Sequence, residues 1–201
     1  RRNRVAVTGV AAALIAIAAT VSACTVQLRR ERDRAAFEAR KAAAVAKYFQ
    51  EVIVESTPES GGTRVVTVSD LLKSASEHAE AALKEFPEAL AQVLGDLAFA
   101  ARTRGDYALA EPVLRRALEL KRSQIGDGVD DQLVQYTSNT ATLFASTGRY
   151  DEAEPYFLEA VRLSRRYPQF NGNAVAYALN NLAKHYTRMG RYEQAAEQLA
   201  E

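Results

Sequence analysis

The side chains that could carry catalysis are few in this 201-residue sequence. His78 and His185 could act as general acids or bases, and Asp130-Asp131 and Asp151-Glu152 could act as paired carboxylates. His78 is surrounded by polar residues and His185 lies beside a repeated aromatic position, where histidines usually face solvent or pack. Both acidic pairs fall where helices are expected to begin, and carboxylates there interact favourably with the helix dipole. The sequence therefore predicts no catalytic residue.

The sequence also lacks the motifs that metal binding or phosphate transfer would need. A single cysteine, Cys24, excludes an internal disulfide, and one cysteine with two scattered histidines does not make a Cys/His metal site. The sequence has no Gly-rich phosphate loop and neither the His-Arg-Asp nor the Asp-Phe-Gly triplet of protein kinases. We therefore expect no metal and no cofactor here. ATP and Mg²⁺ would be needed only by a kinase domain preceding Arg1.

Charge is divided unevenly along the chain. Residues 1–48 hold 10 Lys/Arg against 3 Asp/Glu, whereas residues 49–201 hold 16 against 22. Nucleic-acid binding needs clustered Lys and Arg that displace counterions from phosphates. The acidic second part therefore argues against a nucleic-acid partner and favours a protein or peptide ligand.

An uncharged stretch follows the basic start of residues 1–4. Residues 5–28 contain no charged side chain, and a helix of that length, rising about 1.5 Å per residue, spans a hydrocarbon core of roughly 30 Å. We expect a single-pass transmembrane helix over residues 5–28. The Lys and Arg residues that follow favour a cytoplasmic C-terminal side.

Two other interpretations of this stretch stay open. It could be a buried helix of a soluble core, although its length exceeds what such helices need. Alternatively, the tetrapeptide Val21-Ser22-Ala23-Cys24 resembles a bacterial lipoprotein signal, in which Cys24 would be lipidated after cleavage.

Three further segments are expected before the main repeats. Residues 29–55 lack Gly and Pro and predict a juxtamembrane helix, either touching anionic lipid headgroups or acting as a solvated linker. Pro and paired Gly make residues 56–66 a linker. Residues 67–87 predict a helix that begins at an N-cap Ser69, ends at Pro87 and caps the array.

The clearest pattern is an internal repeat. Gly-x-Tyr segments begin at Gly105, Gly148 and Gly190, at spacings of 43 and 42 residues, and each continues with alanine at a fixed position. A period of this length is typical of a solenoid of helix pairs. Each unit predicts a helix, a tight turn at the glycine and a second helix, with Pro112 and Pro155 inside the second helix. The predicted fold class is therefore all-α.

The repeat framework resembles tetratricopeptide repeats, and its longer period, its Ala-Glu-Pro and the string Leu179-Asn180-Asn181-Leu182-Ala183 are similar to the kinesin light chain type. The resemblance covers residues 88–201, about two and a half units. The departures are the absence of Trp, Thr140 where Leu is usual, and a third unit without Pro.

The order of parts is similar to the C-terminal, membrane-anchored half of bacterial serine/threonine protein kinases. In that family the kinase domain precedes the membrane helix, and the resemblance implies a bacterial inner membrane with an extracytoplasmic repeat array. The charge counts favour the opposite side, so the orientation stays open. The chain starts at Arg1 rather than Met and stops at Glu201 within the pattern, so we expect it to be part of a longer protein.

The first helix of each unit lines the concave face in this family, which implies a binding groove for an extended peptide. The expected partner-binding residues are Gln92, Asp96, Phe99, Arg102, Gln135, Asn139, Thr142, Tyr177, Asn180, Asn181, Lys184 and Arg188. The first functional hypothesis is the recognition region of a membrane-anchored kinase, and the alternative is a free-standing anchored or lipidated scaffold. Oligomeric state is left open.

Overall fold

The structure is a computed structural model that describes residues 2–55, 67–166 and 173–200, with side chains for 19–54, 67–166 and 174–200. The predicted linker, residues 56–66, lies outside this description. The described residues form eight α-helices, and the expected all-α class is confirmed. The helices are α1 Arg2–Glu55, α2 Val68–Ala82, α3 Pro87–Thr103, α4 Tyr107–Ile125, α5 Asp131–Ser146, α6 Tyr150–Arg166, α7 Asn173–Arg188 and α8 Tyr192–Ala200.

The chain divides into two compact units, and the first is Arg1–Ala46. Within the residues that the structure describes, we find no helix with a run of side chains apolar and long enough to cross a membrane. From residue 19, α1 reaches the charged stretch that starts at Arg29 after only ten residues. These residues therefore do not support the expected span over 5–28, whose side chains up to residue 18 lie outside the description.

The second unit, Lys47–Glu201, begins with the last turns of α1. Tyr48 is buried, and its hydroxyl donates a hydrogen bond of 3.1 Å to the Ala75 carbonyl of α2. Burial raises the pKa of the Tyr48 phenol to about 12. The end of the expected juxtamembrane helix is thus anchored on α2 rather than being wholly solvated.

The start of α2 corrects the N-cap prediction. Thr67, not Ser69, is the N-cap, and it forms a capping box in which Thr67 and Asp70 each accept a hydrogen bond from the other's backbone N–H. The Ser69 hydroxyl donates instead to the Asp106 carboxylate at the start of α4. The prediction that Pro87 ends α2 was also wrong. Pro87 is the first residue of α3, where its missing N–H costs nothing.

Helix pairs form the rest of the second unit. The most extensive contacts join α3 to α4, α5 to α6, and α7 to α8, and each pair also packs on the next. Gly105, Gly148 and Gly190 stand at the turns within the pairs with φ of 82°, 78° and 73°. This left-handed conformation is easily adopted only by glycine, so the predicted role of the repeated glycine is confirmed.

The helices approach one another at small residues. Six alanines on α2 to α6 are completely buried in the packed helices; they are Ala79, Ala101, Ala110, Ala117, Ala141 and Ala153. Larger side chains such as Leu94, Leu114 and Phe144 are buried in the same core. This alternation of small and large residues gives the close packing that folded cores require.

In the second and third helix pairs, an arginine in the turn links the pair to the one before it. Arg149 Nη1 donates to Glu111 Oε2 at 2.7 Å, and Arg191 Nη1 donates to Glu154 Oε2 at 2.7 Å. The Arg149 guanidinium also lies 4.3 Å from the centre of the Phe144 ring. The hydrogen bond from Arg191 lowers the pKa of the Glu154 carboxyl. The same contact therefore recurs at both junctions between repeat units.

The contact between α3 and α5 depends on a glycine. A Cβ added at Gly95 would lie 2.5 Å from Tyr136 Cε1. The buried Tyr136 ring fills this space, and its hydroxyl donates a hydrogen bond of 3.0 Å to the Ala91 carbonyl. The absence of a side chain at Gly95 thus fixes the distance between the two helices.

We expect Gly95→Ala to lower the free energy of unfolding by about 1–3 kcal/mol, the usual cost of overpacking. In an unobstructed helix the same change would stabilise by about 1 kcal/mol, because alanine has the higher helix propensity. Thermal and urea denaturation followed by circular dichroism measure the effect. Gly95→Ala with Tyr136→Leu should cost less than the sum of the two single changes. A Gly95→Ala chain that melts higher than wild type would contradict this packing.

A buried histidine of α7 packs against α6. His185 is 1% exposed, and neither ring nitrogen has a hydrogen-bond partner among the described residues. The aromatic rings of Tyr150, Phe157 and Tyr186 surround it, the nearest at a centroid distance of 4.9 Å. Desolvation lowers the pKa of the imidazole, so the folded state favours the neutral form. The expectation that His185 packs rather than catalyses agrees with this position.

We expect stability to fall as the pH drops below about 6.5, the ordinary histidine pKa, because the unfolded chain then binds a proton that folded His185 resists. His185→Phe should remove this component between pH 7 and 5, where the lowered pKa values of Glu111 and Glu154 contribute little. Melting temperatures measured across this range test it. His78→Gln, a change at the half-buried histidine of α2, is the control. Parallel curves for wild type and His185→Phe would show that His185 is not responsible.

Candidate functional site

The first helix of each pair, α3, α5 and α7, forms one side of the array. Both α3–α5 and α5–α7 are in direct contact, and the second helices lie behind them. Each turn reverses the chain, so the three first helices run in the same direction. Residues at matching positions on the three helices therefore lie side by side across this surface.

A groove of about 270 Å³ opens between these three helices. One wall comes from α3, the floor from α5 and the other wall from α7. Its lining residues are Phe99, Asp131, Val134, Gln135, Ser138, Asn139, Ala174 and Tyr177.

Four of the predicted partner-binding residues line this groove together: Phe99, Gln135, Asn139 and Tyr177. The other eight lie outside its lining. Gln92, Asp96, Lys184 and Arg188 are exposed, and Arg102, Thr142, Asn180 and Asn181 are half-buried. The structure thus brings together the residues near the middle of the predicted surface, and their role in binding stays a prediction.

Sequence reasoning missed four lining residues, Asp131, Val134, Ser138 and Ala174. Asp131 had been assigned only a helix-dipole role, which its place in the first turn of α5 agrees with. Ser138 and Ala174 are small and gave no signal of their own. Spacing was the available clue, because residues three, four and seven positions apart share one helix face and Asp131, Gln135 and Ser138 follow this spacing.

The walls of the groove are aromatic. Phe99 is 50% exposed and Tyr177 is 60% exposed, although both are large side chains that would gain from burial. The Arg102 guanidinium lies 5.1 Å from the centre of the Phe99 ring, one turn further along α3. The groove therefore offers two rings with free surface above a partly polar floor.

Ser138 on the floor has an unusual hydrogen-bond status. The other serine and threonine hydroxyls of α5, on Thr137, Thr140, Thr142 and Ser146, donate to the carbonyl one turn earlier at 2.7–2.8 Å. Ser138 is 3% exposed, yet its hydroxyl has no partner among the described residues. A buried hydroxyl without a partner costs stability, so this atom is available to a ligand group.

Carboxylates surround the end of the groove near the start of α5. Asp130 caps α5 by accepting from Leu133 N–H at 2.9 Å, and it is paired with the buried Lys121 ammonium at 2.5 Å. Burial raises the pKa of the Tyr136 phenol, and the charges of Asp96, Asp130 and Asp131 raise it further. Desolvation raises the pKa of the Asp96 carboxyl itself. Three carboxylates thus lie near Tyr136, and of these only Asp130 has an ion-pair partner among the residues that the structure describes.

The geometry suits recognition by amide, hydroxyl, carboxylate and aromatic groups. Among the residues that the structure describes, no group of three or more His, Cys, Asp or Glu side chains could hold a metal ion. His185 lies in the core, away from the lining residues of the groove.

Comparison with known proteins identifies the repeats. Two family models, both described as tetratricopeptide repeat, match residues 90–127 and 133–201. BtubC (BKLC) from P. vanneervenii is a similar solved structure, with 20% identity and a TM-score of 0.56 over 64% of this chain and 54% of that one. This chain therefore spans about half the length of BtubC. At this identity the likeness shows the fold alone.

Other similar solved structures have lower scores. A MamA structure (MSR-1) is 18% identical over 81% of this chain and 90% of its own, with a TM-score of 0.46. A putative kinesin light chain from Podosopora anserina is 17% identical over 80% of this chain and 84% of its own, with a TM-score of 0.47.

No curated protein matches the sequence. The identification therefore rests on the two family matches, which cover the three helix pairs, and on the fold shared with BtubC. Residues 90–127 and 133–201 of this chain are tetratricopeptide repeats.

Proposed function

We propose that the helix pairs α3 to α8 bind an extended segment of a partner protein in the groove between α3, α5 and α7. The exposed faces of Phe99 and Tyr177, on opposite walls of one groove, carry this proposal. Exposed aromatic surface next to convergent polar groups is typical of an interaction site. Gln135 and Asn139 supply amides that can hydrogen-bond a peptide backbone.

A binding role also follows from the family. Tetratricopeptide repeats generally bind protein or peptide partners and are typically non-enzymatic scaffolds. The groove of this chain has aromatic walls and polar floor residues, a composition suited to holding a segment rather than transforming it. We therefore infer that this repeat array recruits or senses another protein.

We further propose that the array belongs to a membrane-anchored bacterial protein, as the recognition region of a serine/threonine protein kinase. The order of parts in the sequence supports the assignment to a kinase. The proposed membrane anchor is supported only by the uncharged residues 5–28. Reading the gene upstream of Arg1 tests it. A Gly-rich loop with His-Arg-Asp and Asp-Phe-Gly triplets is the expected result, whereas a start codon close to Arg1 would favour the free-standing scaffold.

We expect Phe99→Ala with Tyr177→Ala to weaken binding of groove ligands roughly tenfold or more, because buried aromatic anchors dominate interface energies. Peptides selected from a random library on the full chain serve as ligands, and fluorescence polarisation gives their dissociation constants. The control is Leu158→Ala, which removes another exposed apolar side chain, from the second helix α6.

The melting temperature of the double variant should stay near that of wild type, because both rings are half exposed. Selected peptides that bind the double variant as tightly as wild type, or lose affinity equally with Leu158→Ala, would place the interaction surface elsewhere.

A further inference from the structure

We propose that the groove selects a partner segment that carries a lysine or arginine side chain, whose cation pairs with Asp131, while a backbone N–H of the same segment donates a hydrogen bond to the Ser138 hydroxyl oxygen. This inference rests on the proposed function, because it names the chemistry of the segment that the groove takes.

The Ser138 hydroxyl is the first observation behind it. Four serine and threonine hydroxyls of the same helix donate a hydrogen bond to the backbone carbonyl one turn earlier. The same kind of hydrogen bond would be possible for Ser138. Its Oγ is instead buried without a partner in the lining of the groove. Its lone pairs can accept a hydrogen bond from a backbone N–H of a bound segment.

Asp131 is the second observation. Its Oδ1 accepts a hydrogen bond of 3.0 Å from the N–H of the adjacent Gln132, and no cation pairs with it among the residues that the structure describes. The neighbouring Asp130 differs, because its charge is already compensated by Lys121. Asp131 therefore places an uncompensated carboxylate at one end of the groove floor, seven residues and two turns of α5 before Ser138.

The potential around this end of the groove has the sign that a cation requires. Asp96 of α3 lies close enough to the Tyr136 hydroxyl for its charge to affect that group, as does Asp131. Asp96 also lacks an ion-pair partner within the described part of the chain. Arg102, the cation stacked on Phe99, lies six residues after Asp96 on α3, towards the other end of the helix.

The aromatic walls complete the match to a long basic side chain. Lysine and arginine bury their methylene stems against apolar surface while the charged end stays in a polar environment. The Tyr177 ring, 60% exposed, offers such a surface and can also attract the cation to its face. An acidic side chain in the same place would meet Asp131 and the surrounding negative potential.

Three degenerate peptide libraries test the proposal, identical except for a fixed central lysine, norleucine or glutamate. Binding to the full chain is measured by fluorescence polarisation at low and high salt. We expect the lysine library to bind roughly tenfold more tightly than the norleucine library, the range of a charge-assisted hydrogen bond. This preference should shrink as salt screens the exposed carboxylate, and the glutamate library should bind most weakly.

Two variants assign the preference to residues. Asp131→Asn should abolish the difference between the lysine and norleucine libraries. Its matched control is Asp151→Asn, which changes a first-turn carboxylate of α6 outside the groove and should keep the preference. Ser138→Ala should weaken binding of the lysine library several-fold.

Stability separates a ligand-binding serine from a structural one. Ser138→Ala removes a buried hydroxyl without a partner, so its melting temperature should equal or exceed that of wild type, whereas a structural hydroxyl would lower it when removed. Equal affinity for lysine and norleucine libraries would overturn the proposal and leave the groove function standing. A preference for glutamate would overturn it as well. Failure of all three libraries to bind would reject the groove function together with it.

Discussion

Close approach of helices at residues without bulk is the constraint on which this structure depends. Completely buried alanines occur on each helix from α2 to α6, and Gly95 allows the Tyr136 ring to lie directly on α3. Because deleting or adding a few atoms in a packed interior costs free energy out of proportion to their number, these positions set the interhelical distances. These distances also determine the width of the groove, because the contact of Tyr136 with α3 sets how far the α5 floor lies from the α3 wall.

The fold was largely predictable because its determinants are local and repeated. The glycine turns and the alanine spacing recur in sequence and appear in the structure at the predicted positions. Two errors at α2 and α3 also have local causes. Thr67 and Asp70 have the three-residue spacing of a capping box, which competes with Ser69, and proline at the first position of α3 begins a helix as readily as it ends one.

The sequence predicted on which side of the array the candidate site lies, but not where on that side the groove opens. Helical spacing places Phe99, Gln135, Asn139 and Tyr177 on the side formed by first helices, but it does not tell which of them border a depression. Depth depends on how three helices pack, which involves residues more than thirty positions apart. The hydrogen-bond status of Ser138 could not be predicted either, because other serine and threonine residues of α5 bond to a backbone carbonyl and the sequence does not distinguish Ser138 from them.

The arginine–glutamate link between units has a direction. The glutamate always comes from the earlier pair and the arginine from the later one, as in Glu111 with Arg149 and Glu154 with Arg191. Asp106 occupies the arginine position of the first pair, and Ala196 occupies the glutamate position of the third. The first pair therefore lacks the arginine and the third pair lacks the glutamate. The ion pair that joins these units accordingly cannot form between the third pair of one copy and the first pair of another.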